Sequence, residues 1–238
     1  MKMISVLIFF LCSFYQNKNG DGVLREMYNR YAGKWQHNFT FNQTTENYRN
    51  DSLIKTSTWY EYIVYPDKFR IDFGDKKDSN AVIFSKDSTY IFRKGKLAKT
   101  TVNDDDLTFL LGGMYFYSLD TIKATLNKFG YNTNKFHEDV WENKHVYIIG
   151  ADSAKEKTNQ ICIDKENLIV LRFIKFDNGH KEEGIFGNHK RFGGGWSETT
   201  CSFFIDDKLF QKEIYHDCRA DTEIDLKIFD PSKFSVAK

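Results

Sequence analysis

Apolar and polar residues alternate without a break in Lys68-Phe69-Arg70-Ile71-Asp72-Phe73. A period of two puts Phe69, Ile71 and Phe73 on one face of a strand and Lys68, Arg70 and Asp72 on the other. Further β-prone runs flank it. Phe39 and Phe41 alternate with polar neighbours, Thr56 to Tyr65 stops at Pro66-Asp67, and Ala81 to Phe84 and Thr89 to Arg93 follow. The pattern resumes at His145 to Ile149, Gln160 to Asp164, Leu168 to Phe176, Lys181 to Phe186, Thr199 to Phe204, Lys208 to His216 and Thr222 to Ile228. Asp177-Asn178-Gly179 and Asp206-Asp207 supply hairpin turns.

Helical spacing marks three places. Val23, Leu24, Met27, Tyr28 and Tyr31 follow a capping Asp21, with Gly33 as the left-handed exit. Asp104-Asp105-Asp106 reads as a solvated helix start ahead of the apolar stretch Leu107 to Tyr117, which contains Gly112-Gly113. Ser118 then caps a helix carrying Leu119, Ile122, Leu126 and Phe129, closed by Gly130. About eleven strands with hairpin-length connections and two or three helices predict a mainly β protein. It would be a single curled antiparallel sheet with residues 104–130 as helical cover. No Pro- or Ser-rich linker interrupts residues 21–238, so they are expected to form one domain.

Lys2 precedes an apolar run from Ile4 to Tyr15, and the chain turns polar at Gln16. A run of that length is too short to span a bilayer and reads as a signal peptide over residues 1–20. Cys12 raises the question of a lipid anchor, which Phe9-Phe10-Leu11 disfavours because such processing prefers a small residue there. Three sequons, beginning at Asn38, Asn42 and Asn50, are taken as chance in an Asn- and Lys-rich, bacterial-looking composition.

Across 238 residues, 34 Lys and Arg stand against 33 Asp and Glu, which removes any case for nucleic-acid binding. Aromatic residues reach 16%, a proportion that suits a pleated sheet. Cys162, Cys201 and Cys218 are expected as free thiols. A turn at Asp206-Asp207 sets Cys201 opposite residue 213 or 214, leaving Cys218 beyond disulfide reach. None of the six histidines has metal-ligand spacing, and no Gly-x-Ser-x-Gly elbow occurs. No catalytic residue, metal or cofactor is assigned.

Trp59, the stretch Pro66-x-x-Phe69-Arg70-Ile71, Ala81-Val82-Ile83-Phe84, Asp87 and Tyr90-Ile91-Phe92 together resemble the front half of the LolA-like family. Asp106-Leu107-Thr108-Phe109-Leu110-Leu111 resembles the helical segment that follows there, and the rhythm from Val146 to Phe234 is also similar. That family comprises periplasmic lipoprotein carriers and related lipid-binding proteins. The resemblance implies a half-open β-barrel closed by helices, a periplasmic or cell-envelope location, and an acyl chain held in an apolar hollow.

Candidate lining residues are Trp59, Phe69, Ile71, Phe73, Tyr90, Phe92, Leu171 and Phe173, with Leu107, Leu110, Leu111 and Tyr115 as the lid. Small barrels are packed solid by default, so the same side chains equally suit a filled core. In the carriers an Arg before the Pro latches the lid; here Tyr65 stands there, which places lipoprotein shuttling in question. The leading expectation is a monomeric, non-enzymatic carrier of a lipid or lipoprotein acyl chain. The alternatives are a sensor recognising lipoproteins or a membrane partner, and a hydrolase of an envelope lipid or glycan. The hydrolase would need His145 or His180 to meet an acid inside the cavity.

Overall fold

The computed structural model describes residues 19–103 and 105–234. The expected signal peptide, apart from Asn19 and Gly20 at the start of the first helix, and Cys12 lie outside the described residues. Helix α1 (Gly20–Tyr31) is capped by Asn19, whose side chain accepts from the Gly22 amide. Asp21, expected as the cap, sits in the first turn and pairs with Lys123. Val23, Leu24, Met27 and Tyr31 form the buried stripe of α1, at the expected spacing.

Six strands follow as an unbroken meander: β1 (Asn38–Arg49), β2 (Ser52–Val64), β3 (Lys68–Phe73), β4 (Asn80–Ser85), β5 (Ser88–Arg93) and β6 (Lys96–Val102). A helical passage comes next, with α2 (Leu107–Leu110), a 3-10 turn (Gly113–Phe116) and α3 (Leu119–Lys128). Ser118 caps α3 as expected, accepting from the Thr121 amide. The chain then forms β7 (Phe136–Trp141), β8 (Lys144–Ile149), β9 (Gln160–Asp164), β10 (Val170–Asp177) and β11 (His180–Gly187). A small hairpin, β12 (Lys190–Phe192) and β13 (Gly195–Ser197), precedes β14 (Thr200–Ile205) and β15 (Lys208–Ala220).

Thirteen strands make one sheet, in the order β6-β5-β4-β3-β2-β1-β15-β14-β11-β10-β9-β8-β7, with β12 and β13 forming a separate pair. Every pairing is antiparallel, and the sheet is not closed. The expectation of about eleven strands falls short because the edge strands β6 and β7 were not anticipated. Both are rich in charged or polar residues, as edges commonly are, and neither shows a buried face of period two. Conversely, Thr222 to Ile228 is not a strand; its end enters a 3-10 turn at Leu226–Phe229.

The helical passage links the two free edges of the sheet, so it must cross a face. Ile122 and Leu126 of α3 join the α1 stripe in a core with Val146, Ile149 and Ile161. A second, smaller cluster lies on the opposite face, where Ala81, Ile83 and Phe92 pack with Phe234. Arg70, fully buried, completes it by pairing with Asp72 at 2.8 Å and donating to the Ile228 carbonyl at 2.8 Å. The terminal segment thereby seals the back of the sheet. Among the described residues no helix is long and apolar enough to cross a membrane.

Candidate functional site: an apolar hollow with an acidic patch

The face that carries Phe69 and Ile71 is not filled throughout. Below α2 the core gives way to a cavity of about 410 Å³, within the usual range for small-molecule sites. Phe84 of β4 and Phe173 of β10 both line it. Those strands stand seven steps apart in the sheet, about 34 Å if the sheet were flat. The sheet therefore curls around the hollow.

Register decides which side chains reach it. Phe69 pairs with Phe84 and Ile63, Ile71 with Glu61, and Phe73 with Trp59. These residues share one face, and of the expected liners Trp59, Phe69, Ile71 and Phe173 do border the cavity. Phe73 lies on that face but packs edge-on against Trp59, 4.8 Å between centroids, outside the lining. Tyr90 and Phe92 are on the other side of the sheet. Tyr90 pairs with Ile83 and Phe92 with Ala81, and these oppose Arg70 and Asp72, so all six share the sealed face. Leu171 is 1% exposed and belongs to the solid part of the core.

The lid divides in the same way. Leu107 and Leu111 border the cavity, whereas Leu110 and Tyr115 are buried beside Trp35 behind it. Gly112 allows that packing: its φ is +150°, and a Cβ there would lie 2.3 Å from the Trp35 indole nitrogen. Tyr65, at the position where a latch was expected to be lost, donates its hydroxyl to the Leu111 carbonyl at 3.5 Å. Its ring stacks on Phe116 at 5.8 Å. A second close approach shapes the floor. A Cβ on Gly184 would meet the Phe173 ring at 2.2 Å, so only glycine lets that ring lie across β11.

Sequence reasoning missed the polar half of the site. Glu61 from β2, Glu213 from β15 and Glu198 from the segment before β14 all border the cavity, each no more than 7% exposed. Glu213 accepts from Gln211 at 2.6 Å and from Tyr215 at 3.2 Å, and the Tyr215 hydroxyl also meets the Cys201 sulfur at 3.2 Å. Burial pushes Glu61 well above the carboxylate range, and Glu213 and Glu198 reinforce the effect. Burial likewise raises Glu213, and carries Glu198 up to about 7 with Glu213 adding to the push.

Of the acids expected at a solvated helix start, Asp105 and Asp106 are also drawn in, and Asp104 lies outside the described residues. Asp105 accepts from the Leu107 amide and the Thr108 hydroxyl, and burial raises it. Asp106 accepts from Tyr131 at 3.0 Å and pairs with Lys175 at 2.6 Å. Cys201, opposite Glu213 as the turn at Asp206-Asp207 implied, is a free thiol that burial holds protonated. His180 does meet an acid, Asp206, at 2.7 Å, but both side chains are exposed and neither lines the cavity. Among the described residues no histidine lines the hollow.

The sequence matches no protein-family model and no curated protein. The fold does have counterparts. A DUF1329 family protein from Desulfovibrio piger aligns over 90% of this chain and 96% of its own, with a TM-score of 0.64 at 13% identity. A LolA superfamily protein from Nitrosomonas europaea aligns over 91% of this chain and all of its own, with a TM-score of 0.56 at 9% identity. A domain from Vibrio parahaemolyticus described as an outer membrane lipoprotein-sorting protein aligns over 90% and 97%, with a TM-score of 0.56 at 13% identity. The fold is LolA-like.

Proposed function

We propose that this protein binds the hydrocarbon part of a lipid, or of a lipoprotein's acyl group, non-covalently in the hollow beneath α2, and carries it through the periplasm. One observation supports this above the others: beneath a helical cover, the cavity is walled by Trp59, Phe69, Ile71, Phe84, Phe173 and Phe203. Such a surface gains about 0.8 kcal/mol per methylene buried and needs no chemistry. The LolA-like fold and the apolar segment at residues 4–15 accord with an envelope location. Ile205 and Phe210, 40% and 37% exposed, border the same hollow and mark its mouth.

The test is to purify the protein from its native envelope fraction, extract it with organic solvent and identify the extract by mass spectrometry. The proposal expects a lipid at near-stoichiometric yield. Repeated extracts without lipid, from protein that also refuses added lipid, would remove it. A sensor would use the same hollow and is distinguished by a stable protein complex that survives blocking of the pocket.

A second reading, an enzyme acting on an envelope lipid or glycan, is favoured by the raised carboxyls of Glu61, Glu198 and Glu213, since such acids cluster at catalytic sites. It predicts a chemically altered ligand after incubation, and the carrier predicts an unaltered one.

A further inference from the structure

Hydrocarbon accounts for the rings around the cavity and leaves its acids unexplained. Glu61 is 5% exposed, borders the hollow, and receives no side-chain hydrogen bond among the described residues. On the neighbouring strand Gln43, fully buried, pairs with Trp59 and Tyr215, both of which line the cavity. Its Nε2 donates to Thr45, and its Oε1 has no donor. Glu213 and Glu198 complete a patch of acceptors drawn from separate elements. Unpaired buried acceptors are costly, and a native site that keeps them calls for a donor.

The cations nearby are engaged elsewhere. Lys175, the one Lys or Arg bordering the cavity among the described residues, pairs with Asp106. Arg172 pairs with Glu183, and Lys181 pairs with Glu183 and Asp207. None of these pairs involves Glu61, Glu198 or Glu213.

We infer that the ligand of this hollow is an amphiphile whose polar end is an amine, seated as an ammonium against Glu61, Glu198 and Glu213 while its hydrocarbon lies along Phe69 and Phe173. An ammonium offers three donors and a positive charge: among the described residues Glu61 and the Gln43 Oε1 have no donor, and the neighbouring cations are paired with other acids. An ammonium beside these carboxyls favours the ionised form that burial disfavours, whereas a carboxylate or phosphate end adds like charge as they ionise and an alcohol brings no charge to offset them. The inference rests on the hydrocarbon-binding reading above. Two sources carry this chemistry, the headgroup of an aminophospholipid and the free amino terminus of an acylated cysteine peptide.

The experiment compares dodecylamine, dodecanol and dodecanoate, below their micellar concentrations at pH 7.5, by displacement of a neutral hydrophobic fluorophore. Dodecylamine should bind about ten- to hundredfold tighter than dodecanol, the worth of one charge-assisted hydrogen bond, and dodecanoate weakest. Glu61→Gln and Glu213→Gln should each remove most of that preference, and native circular dichroism reports that the variants fold.

Equal binding of amine and alcohol would overturn the headgroup inference alone. Fluorophore uptake with none of the three displacing it would also overturn it, whereas a protein that takes up no hydrophobic probe removes the hydrocarbon reading as well. The two sources separate by comparing vesicles of phosphatidylethanolamine with a diacylglyceryl-cysteine peptide, its amine free or acetylated. Binding of the acetylated peptide as tight as the free one would count against the inference.

Discussion

Tyr65 and Leu111 join the end of β2 to the cover of the cavity through a hydroxyl-to-carbonyl hydrogen bond of 3.5 Å. Tyr65 is 8% exposed, and its ring is stacked on Phe116 within the same passage. Tyr65→Phe removes the hydroxyl and keeps the ring, so it should cost about 0.5–1.5 kcal/mol. Tyr65→Ala removes the stack too and should cost about 3–5 kcal/mol. Urea unfolding of the two variants checks the ranking. The Phe variant should also release bound fluorophore faster, and an unchanged release rate would mean the bond does not hold the cover.

Gly184 permits Phe173 to lie across β11, with no room for a methyl group between them. Gly184→Ala should lift the Phe173 ring into the hollow. The overpacking would cost about 1–3 kcal/mol, and uptake of a hydrophobic probe should fall by more than the fraction unfolded. Probe titration under conditions where circular dichroism reports full folding is the check.

The sealed face supplies a control for these effects. Arg70 is wholly buried against Asp72, the Ile228 carbonyl and the Phe234 ring, 5.1 Å from its guanidinium carbon. Arg70→Met breaks the buried pair with Asp72, at a cost of about 3–5 kcal/mol. Phe69→Asp, one residue away and on the other face, should instead suppress ligand uptake. If Arg70→Met, while still folded, also abolished uptake, the assignment of the two faces would be wrong.

The carboxyls also set a pH dependence. In the folded protein Glu198 titrates near 7, above its ordinary value, and Glu61 and Glu213 are raised as well. The folded state therefore keeps protons that the unfolded chain has released, and stability falls as pH rises from the ordinary carboxylate range through 7. Glu198 alone should account for about 3 kcal/mol of that loss. Thermal melts should be higher at pH 5 than at pH 8, and Glu198→Gln should flatten the difference. A protein equally stable at both values would contradict the buried state of these acids.

Much of the fold was legible because alternation is a local property. Phe69 and Ile71 face the hollow as their spacing demands. Tyr90 and Phe92 show where that logic stops: Ser88–Arg93 has apolar residues in succession, so its inward face follows from register against Ala81 and Ile83, which the sequence does not display. The outer strands Lys96–Val102 and Phe136–Trp141 gave little signal, since an edge strand need not bury a continuous face.

Of the acidic patch, only Glu61 had a readable cue. It alternates with Trp59 and Ile63 in a β-prone run, an acid where an apolar residue would be expected. Glu198 and Glu213 each stand alone in their segments and acquire meaning only when curvature of the sheet brings them to the same cavity.

The most direct measurement is titration of the purified protein with N-phenyl-1-naphthylamine, a neutral hydrophobic fluorophore, alongside Phe69→Asp. The account predicts saturable fluorescence enhancement at one site in the wild-type protein, and its loss in a variant that retains native circular dichroism. No enhancement from the folded wild-type protein, or equal enhancement from Phe69→Asp, would contradict an open hydrocarbon hollow on this face of the sheet.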